Sequence, residues 1–153
     1  MYEYGIDIGS VTIKVAEFFN GSLVKTDYLI HQGSPYNLLL NIIKDLKEPD
    51  RVVLTGNVPK NLVESIGVLR VNEVEAIVKG LKFLSTKFSS IIEIGGINSK
   101  FITLNKGLLD FSSNSLCAAG AGVFLDQQAQ RLCVPIEKFG EIALNSNRPA
   151  RIA

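Results

Sequence analysis

Two short stretches of this 153-residue chain set an acid, a glycine turn and a lysine at the same spacing. Asp7-Ile8-Gly9 leads to Lys14, and Glu93-Ile94-Gly95 leads to Lys100. Aligned without gaps at an offset of 86, Ile6-Asp7-Ile8-Gly9 falls on Ile92-Glu93-Ile94-Gly95, while Gly21 and Leu23 fall on Gly107 and Leu109. Six of eighteen positions are identical, and they include the turn glycines, where backbone geometry is most restrictive, so the repeat is taken as real. A glycine just after a strand lets backbone N–H groups approach an anion with no Cβ in the way. Ser10, Thr12 and Ser99 add hydroxyl donors beside the two turns. An acid at the strand end, close to that anion, suits the water shell of a magnesium ion rather than the phosphate itself. The expected phosphate contacts are therefore Gly9, Ser10, Thr12 and Lys14 in one copy, and Gly95, Gly96, Asn98 and Ser99 in the other. Asp7 and Glu93 are the expected catalytic acids, with Asp7 also holding magnesium through water. The competing reading is two ordinary hairpins with surface acids, which matched acids and glycines disfavour.

Each copy needs a strand, a tight turn and a second strand. YEYGIDIG, VTIKVAEFF and LVKTDYLIH alternate as three antiparallel strands, with Asn20-Gly21 as a hairpin signal. Ser34-Pro35 opens a helix with Leu39, Ile42, Ile43 and Leu46 on one face. RVVLTG reads as a buried strand added in parallel after that crossover. VPKNLVESI is expected as a short helix and VLRV as a strand. NEVEAIVKGLKFLS is amphipathic, with Asn72 as N-cap, Glu75 as its capping-box partner, and Val74, Ile77, Val78, Leu81 and Leu84 inward. The second hairpin follows, and then Cys117 ahead of Ala118-Ala119-Gly120-Ala121-Gly122, residues small enough for another backbone or a bulky group to approach. A helix start beside Cys117 favours thiolate over thiol, whereas at an arbitrary position a small buried cysteine is the better reading. Leu125, Ala129 and Leu132 make one stripe of the next helix, with Cys133 in the core. Pro135 begins another, with Ile136, Phe139, Ile142 and Ala143 inward, and ARIA begins a strand. His31, the single histidine, is expected at the surface.

Composition narrows the function classes. With 46% hydrophobic residues and a net charge of +1, the chain is globular rather than disordered. Its sixteen basic residues are scattered, which excludes a nucleic-acid stripe. No apolar run reaches the ~18 residues of a membrane span. The N-terminus lacks the basic and apolar regions of a signal peptide, so a reducing cytoplasm is the expected compartment and a disulfide is not.

GIDIGSVTIK resembles the first phosphate motif of the actin, Hsp70 and sugar-kinase ATPase superfamily. More narrowly, IIEIGGINSK followed by GLLDFSSNSLCAAGAGVFLDQQA resembles the ATP-dependent activators of 2-hydroxyacyl-CoA dehydratases and benzoyl-CoA reductases. Those proteins carry motifs close to DIGGQDSK and NxxCAAGTGxFL. This chain departs with Glu93 for aspartate, Ile97 for glutamine, Asn98 for the second aspartate and Ala121 for threonine. Ile97 and Asn98 withdraw polar groups from the second turn, which bears more on hydrolysis than on nucleotide binding.

The resemblance implies an α/β fold of the ribonuclease H-like, actin-like ATPase type: a first lobe over 1–88, and over 89–153 an incomplete second lobe with the cysteine motif. It implies ATP, magnesium, a homodimer sharing one [4Fe-4S] cluster through Cys117 of each subunit, and an acyl-CoA dehydratase or reductase component as partner. Two further cluster ligands would come from a downstream cysteine in a longer chain, since Cys133 lies a full helix beyond Cys117. The chain is thus expected to be a fragment or truncated homologue, with the cluster present only in a full-length dimer. Two other classes remain open: a sugar-kinase-like phosphotransferase, and a non-catalytic nucleotide-binding module that dimerises through residues 117–132.

Overall fold

The computed structural model describes residues 1–58, 63–64, 67–84, 87–105, 108–114 and 121–148. Its first sheet has five strands in the order β3-β2-β1-β4-β5: β1 Tyr2–Ile8, β2 Thr12–Phe19, β3 Ser22–Ile30, β4 Pro49–Gly56 and β5 Leu69–Arg70. The first three strands are antiparallel neighbours, and β4 lies parallel to β1. A parallel pair needs a crossover, and helix α1, Pro35–Lys44, supplies it. Alternation along β1 sorts its two faces. Tyr4, Ile6 and Ile8 turn into a core with Ile13, Val15, Leu39 and Leu54, leaving Asp7 on the opposite face. Tyr4 closes that core with its hydroxyl, which accepts from the Lys47 N–H at 3.2 Å and donates to the Lys47 carbonyl at 3.4 Å.

Helix α2, Glu73–Phe83, starts at Asn72, whose Oδ1 accepts from the Val74 and Glu75 N–H groups at 2.9 and 3.3 Å. It buries Val74 and Val78 against Ile102, with Ile77, Phe88, Ile91 and Leu104 packed alongside. Leu84, expected inward, caps the helix and is 66% exposed, because α2 ends one residue earlier and the chain turns away. The second sheet is an antiparallel meander of β6 Ser90–Ile94, β7 Ser99–Asn105 and β8 Leu108–Ser113. One face receives α2, while the other leaves Ile92 72% exposed beside Phe101.

Two further helices follow, α3 Gly122–Arg131 and α4 Ile136–Leu144. Several inward assignments fail here. In α3 only Ala129 of the expected stripe is buried; Leu125 is part-exposed and Leu132, past the last turn, is exposed. Cys133 is exposed rather than core, because it follows the helix end in a left-handed conformation (φ 54°) that turns the chain away. Helix α4 buries no residue: Phe139 is half-covered, but Ile136, Ile142 and Ala143 are exposed. Its amphipathic pattern is genuine, yet its contact with α3 leaves the apolar face largely exposed. The expected helix over VPKNLVESI lies largely outside the described residues, and ARIA wholly so. Among the described residues no helix is long and apolar enough to cross a membrane.

Candidate functional site

The sequence repeat is also a repeat of backbone geometry. The Gly9 N–H donates to the Thr12 carbonyl at 2.9 Å, and the Gly95 N–H to the Asn98 carbonyl at 2.9 Å. Cross-strand register repeats as well: Asp7 opposes Lys14 and Ile8 opposes Ile13, as Glu93 opposes Lys100 and Ile94 opposes Ser99. Side chains opposite one another on antiparallel strands share a face, so each acid meets its lysine. Lys14 Nζ lies 2.9 Å from Asp7 Oδ2, and Lys100 Nζ lies 3.2 Å from Glu93 Oε2.

The two turns face each other across a cavity of about 970 Å³. They approach so closely that a Cβ on Gly96 would stand 2.6 Å from Val11 Cγ2, while inside the second turn a Cβ on Gly95 would stand 2.8 Å from the Asn98 carbonyl oxygen. Asp7, Gly9, Ser10, Thr12, Lys14, Glu93, Gly95, Gly96 and Asn98 all line this cavity. Ser99 does not; it opens β7, where its N–H donates to Asn114 Oδ1 at 3.0 Å. Cys117 lies outside the described residues. Gly56, at the end of β4, holds φ at 83° with its Cα against Asp7 and Ile8, and Asn57 donates to the Ile8 carbonyl at 2.7 Å.

Charge is unevenly distributed around the cavity. Lys100 also reaches Glu73 Oε1 at 3.0 Å, so one ammonium joins two carboxylates. Burial pulls the Lys100 pKa down, but the hydrogen bonds and charges of Glu73 and Glu93 outweigh it and hold the pKa above the ordinary lysine value. Glu73, at the first turn of α2, is the acid that the sequence reading missed. Glu75, read as the capping-box partner of Asn72, pairs with Lys79 at 2.7 Å along the exposed helix face. The available signal was position: Glu73 directly follows the N-cap, where a helix enters the cavity rim.

Asp7 Oδ1 is buried and has no hydrogen-bond partner among the described residues. That orphan oxygen fits a magnesium ion that keeps its own waters and its phosphate oxygens, since no group of three metal-ligating side chains forms among the described residues. Such a cluster-binding group is likewise absent there, and Cys133 stands alone and exposed.

Helix α3 is tied to the second turn. Its Gly122 and Val123 N–H groups each donate at 2.9 Å, to the Gly95 and Gly96 carbonyls respectively. Those first N–H groups are therefore engaged by the turn.

Comparisons with known proteins agree with this geometry. No family model matches the chain. The activator of 2-hydroxyisocaproyl-CoA dehydratase from Clostridium difficile, solved with bound ADPNP, superposes with a TM-score of 0.81 at 29% identity, over 100% of this chain and 60% of that one. From end to end, the chain is similar to dehydratase activators. Component A of (R)-2-hydroxyglutaryl-CoA dehydratase from Acidaminococcus fermentans gives a TM-score of 0.80 at 26% identity, covering 100% of this chain and 62% of that structure. The activator of lactoyl-CoA dehydratase from Anaerotignum propionicum is 30% identical over 152 residues, 93% of this chain and 58% of its own length. The chain thus spans about three-fifths of the activators it matches. Its fold is the α/β arrangement of the actin-like ATPases, a mixed sheet flanked by helices.

Proposed function

We propose that the chain is the nucleotide-binding part of an ATP-hydrolysing iron–sulfur activator that drives electrons to a 2-hydroxyacyl-CoA dehydratase or a related reductase. The observation that carries this reading is the pair of matched turns, Gly9–Thr12 and Gly95–Asn98, facing one cavity with an acid–lysine pair behind each. Residues 1–88 form the first lobe and 89–153 the opening of a second. ATP lies with its phosphates between the turns, whose glycines leave N–H groups accessible to phosphate oxygens. Magnesium, when bound, neutralises phosphate charge and orders water. Asp7 Oδ1 accepts from that water shell, while Lys14 stays within 2.9 Å of Oδ2 and fixes the carboxylate plane. Lys100 keeps Glu93 and Glu73 from repelling the incoming nucleotide.

The cysteine segment precedes α3, and α3 hangs from the Gly95 and Gly96 carbonyls. A change at the second turn therefore reaches the start of that helix through two hydrogen bonds. Cys117 would hold the [4Fe-4S] cluster together with its copy in a homodimer, in a reducing cytoplasm. Neither the phosphotransferase nor the non-catalytic alternative is favoured by a specific observation. The test is magnesium-dependent ATP hydrolysis by the full-length protein, purified anaerobically, with iron assayed in the same preparation. Hydrolysis together with about four irons per dimer supports the reading, on the ligand count of one such cluster. A folded protein that neither binds nor hydrolyses ATP refutes it.

A further inference from the structure

A second cavity of about 420 Å³ opens off the first turn. Ile8, Gly9, Ser10, Asn57 and Arg70 line both cavities, and the side cavity adds His31 and Tyr36. His31 was expected at the surface, but only 8% of it is exposed. Its backbone explains the difference: the His31 N–H donates to the Val11 carbonyl at 3.2 Å, and Gln32 and Gly33 then turn sharply with positive φ, folding the chain over the ring. Nδ1 accepts from the Gly33 N–H at 3.2 Å, so in the neutral ring the hydrogen resides on Nε2. That Nε2 is buried and has no partner among the described residues. A buried N–H donor without an acceptor is costly, and a site that supplies one is the usual resolution.

The acceptor that fits is anionic. Arg70, at the junction of the cavities, has only a 3.4 Å contact with the Gly56 carbonyl and no carboxylate partner among the described residues. Helix α1 begins beside the same cavity, with Pro35 and Tyr36 in its lining and no side chain capping its N-terminus. No carboxylate lines the side cavity, whereas Asp7, Glu73, Glu93 and Asp126 line the main one. In the main cavity Lys14 and Lys100 are already paired with Asp7, Glu73 and Glu93, whereas the side cavity offers an oxyanion released at the first turn a guanidinium with no carboxylate beside it.

We propose that this side cavity is a binding site for inorganic phosphate, held by the His31 Nε2–H and the Arg70 guanidinium beside Ser10. It rests on the nucleotide reading for its source: water cleaves the terminal phosphoanhydride of ATP to give ADP, phosphate and a proton. The phosphate then passes Ser10 into the side cavity while ADP stays in the main one.

Inorganic phosphate is titrated into the full-length protein with magnesium and ADP, and imidazole nitrogens are read by NMR. His31 is assigned by the signal lost in His31→Gln. The expected result is a saturable shift of His31 Nε2, with phosphate affinity reduced about tenfold or more in Arg70→Gln and in His31→Leu, the loss of a charge-assisted or buried hydrogen bond. His31→Gln keeps an N–H donor and should retain more affinity than His31→Leu. Should His31→Leu fail to fold, Arg70→Gln on the exposed edge strand decides the point. No shift in a folded protein, or equal affinity in wild type and Arg70→Gln, overturns the proposal. ADP binding is measured in the same samples. ADP binding without a His31 shift removes the phosphate site alone, and a His31 shift without ADP binding removes the nucleotide source alone.

Discussion

Gly33 and Gly56 share a φ of 83° and differ in what surrounds them, which makes them a matched pair for separating backbone strain from contact. An alanine at either position is forced into the left-handed region, at a cost of about 1–2 kcal/mol. At Gly33 nothing lies within 4 Å of the added Cβ, so strain is the whole effect. At Gly56 the Cβ would stand 2.8 Å from Asp7 Oδ1 and 2.9 Å from the Ile8 carbonyl carbon. That carbonyl is held in place by the 2.7 Å hydrogen bond from Asn57, so the backbone has little room to yield. Overpacking of this kind adds about 1–3 kcal/mol. Gly33→Ala should therefore lose about 1–2 kcal/mol and Gly56→Ala about 2–5 kcal/mol. In urea, with an m-value of about 2 kcal/mol/M, the Gly56→Ala midpoint should fall ~0.5–1.5 M below that of Gly33→Ala. Only Gly56→Ala should also weaken magnesium-dependent ADP binding, because the displaced group is Asp7. Equal stability losses, or equal loss of ADP affinity, would refute the placement of Asp7 against the end of β4.

Three other outcomes follow from the same structure. Asp7→Asn in the full-length protein should lower ATP turnover ~10²-fold or more while changing nucleotide affinity less, measured by steady-state hydrolysis beside calorimetry. Gly80→Ala, within α2 and with nothing near its Cβ, should stabilise the chain by about 0.5–1 kcal/mol, seen as a melting point raised by about 1–4 °C. Because the folded-state pKa of Lys100 is raised, its pairing with Glu73 and Glu93 contributes fully below the ordinary lysine value of 10.5 and is lost as pH rises through the folded value. The stability gap between wild type and Lys100→Met should therefore stay flat between about pH 7 and 9 and close only in strong alkali, measured by urea unfolding across that range.

The site was legible where chemistry and backbone restriction coincide. Asp7, Gly9, Glu93 and Gly95 stood out because an acid at a strand end and a glycine in the next position leave few alternatives, and the repeat fixed their register. Alternation along β1 and β2 was equally readable, since one face of each strand is buried and the other meets the cavity. Helices fared worse. An apolar stripe marks Ile136, Ile142 and Leu132 as suited to burial, but only a neighbouring element can bury them, and none of the described ones does. His31 was misread because its burial depends on the turn at Gln32-Gly33 rather than on its own strand position. Picking out Glu73 required knowing how α2 meets the cavity, which a capping pattern does not reveal.

The central claim is that two equivalent turns grip one polyphosphate. Backbone amide NMR with magnesium and ADPNP tests it most directly, following the N–H signals of Ser10 and Gly96 through a single titration. The account predicts that both signals move along one binding curve, and that Gly95→Val abolishes the response at Ser10 along with that at Gly96. A titration in which only one turn responds, or in which the two respond with different affinities, would contradict it.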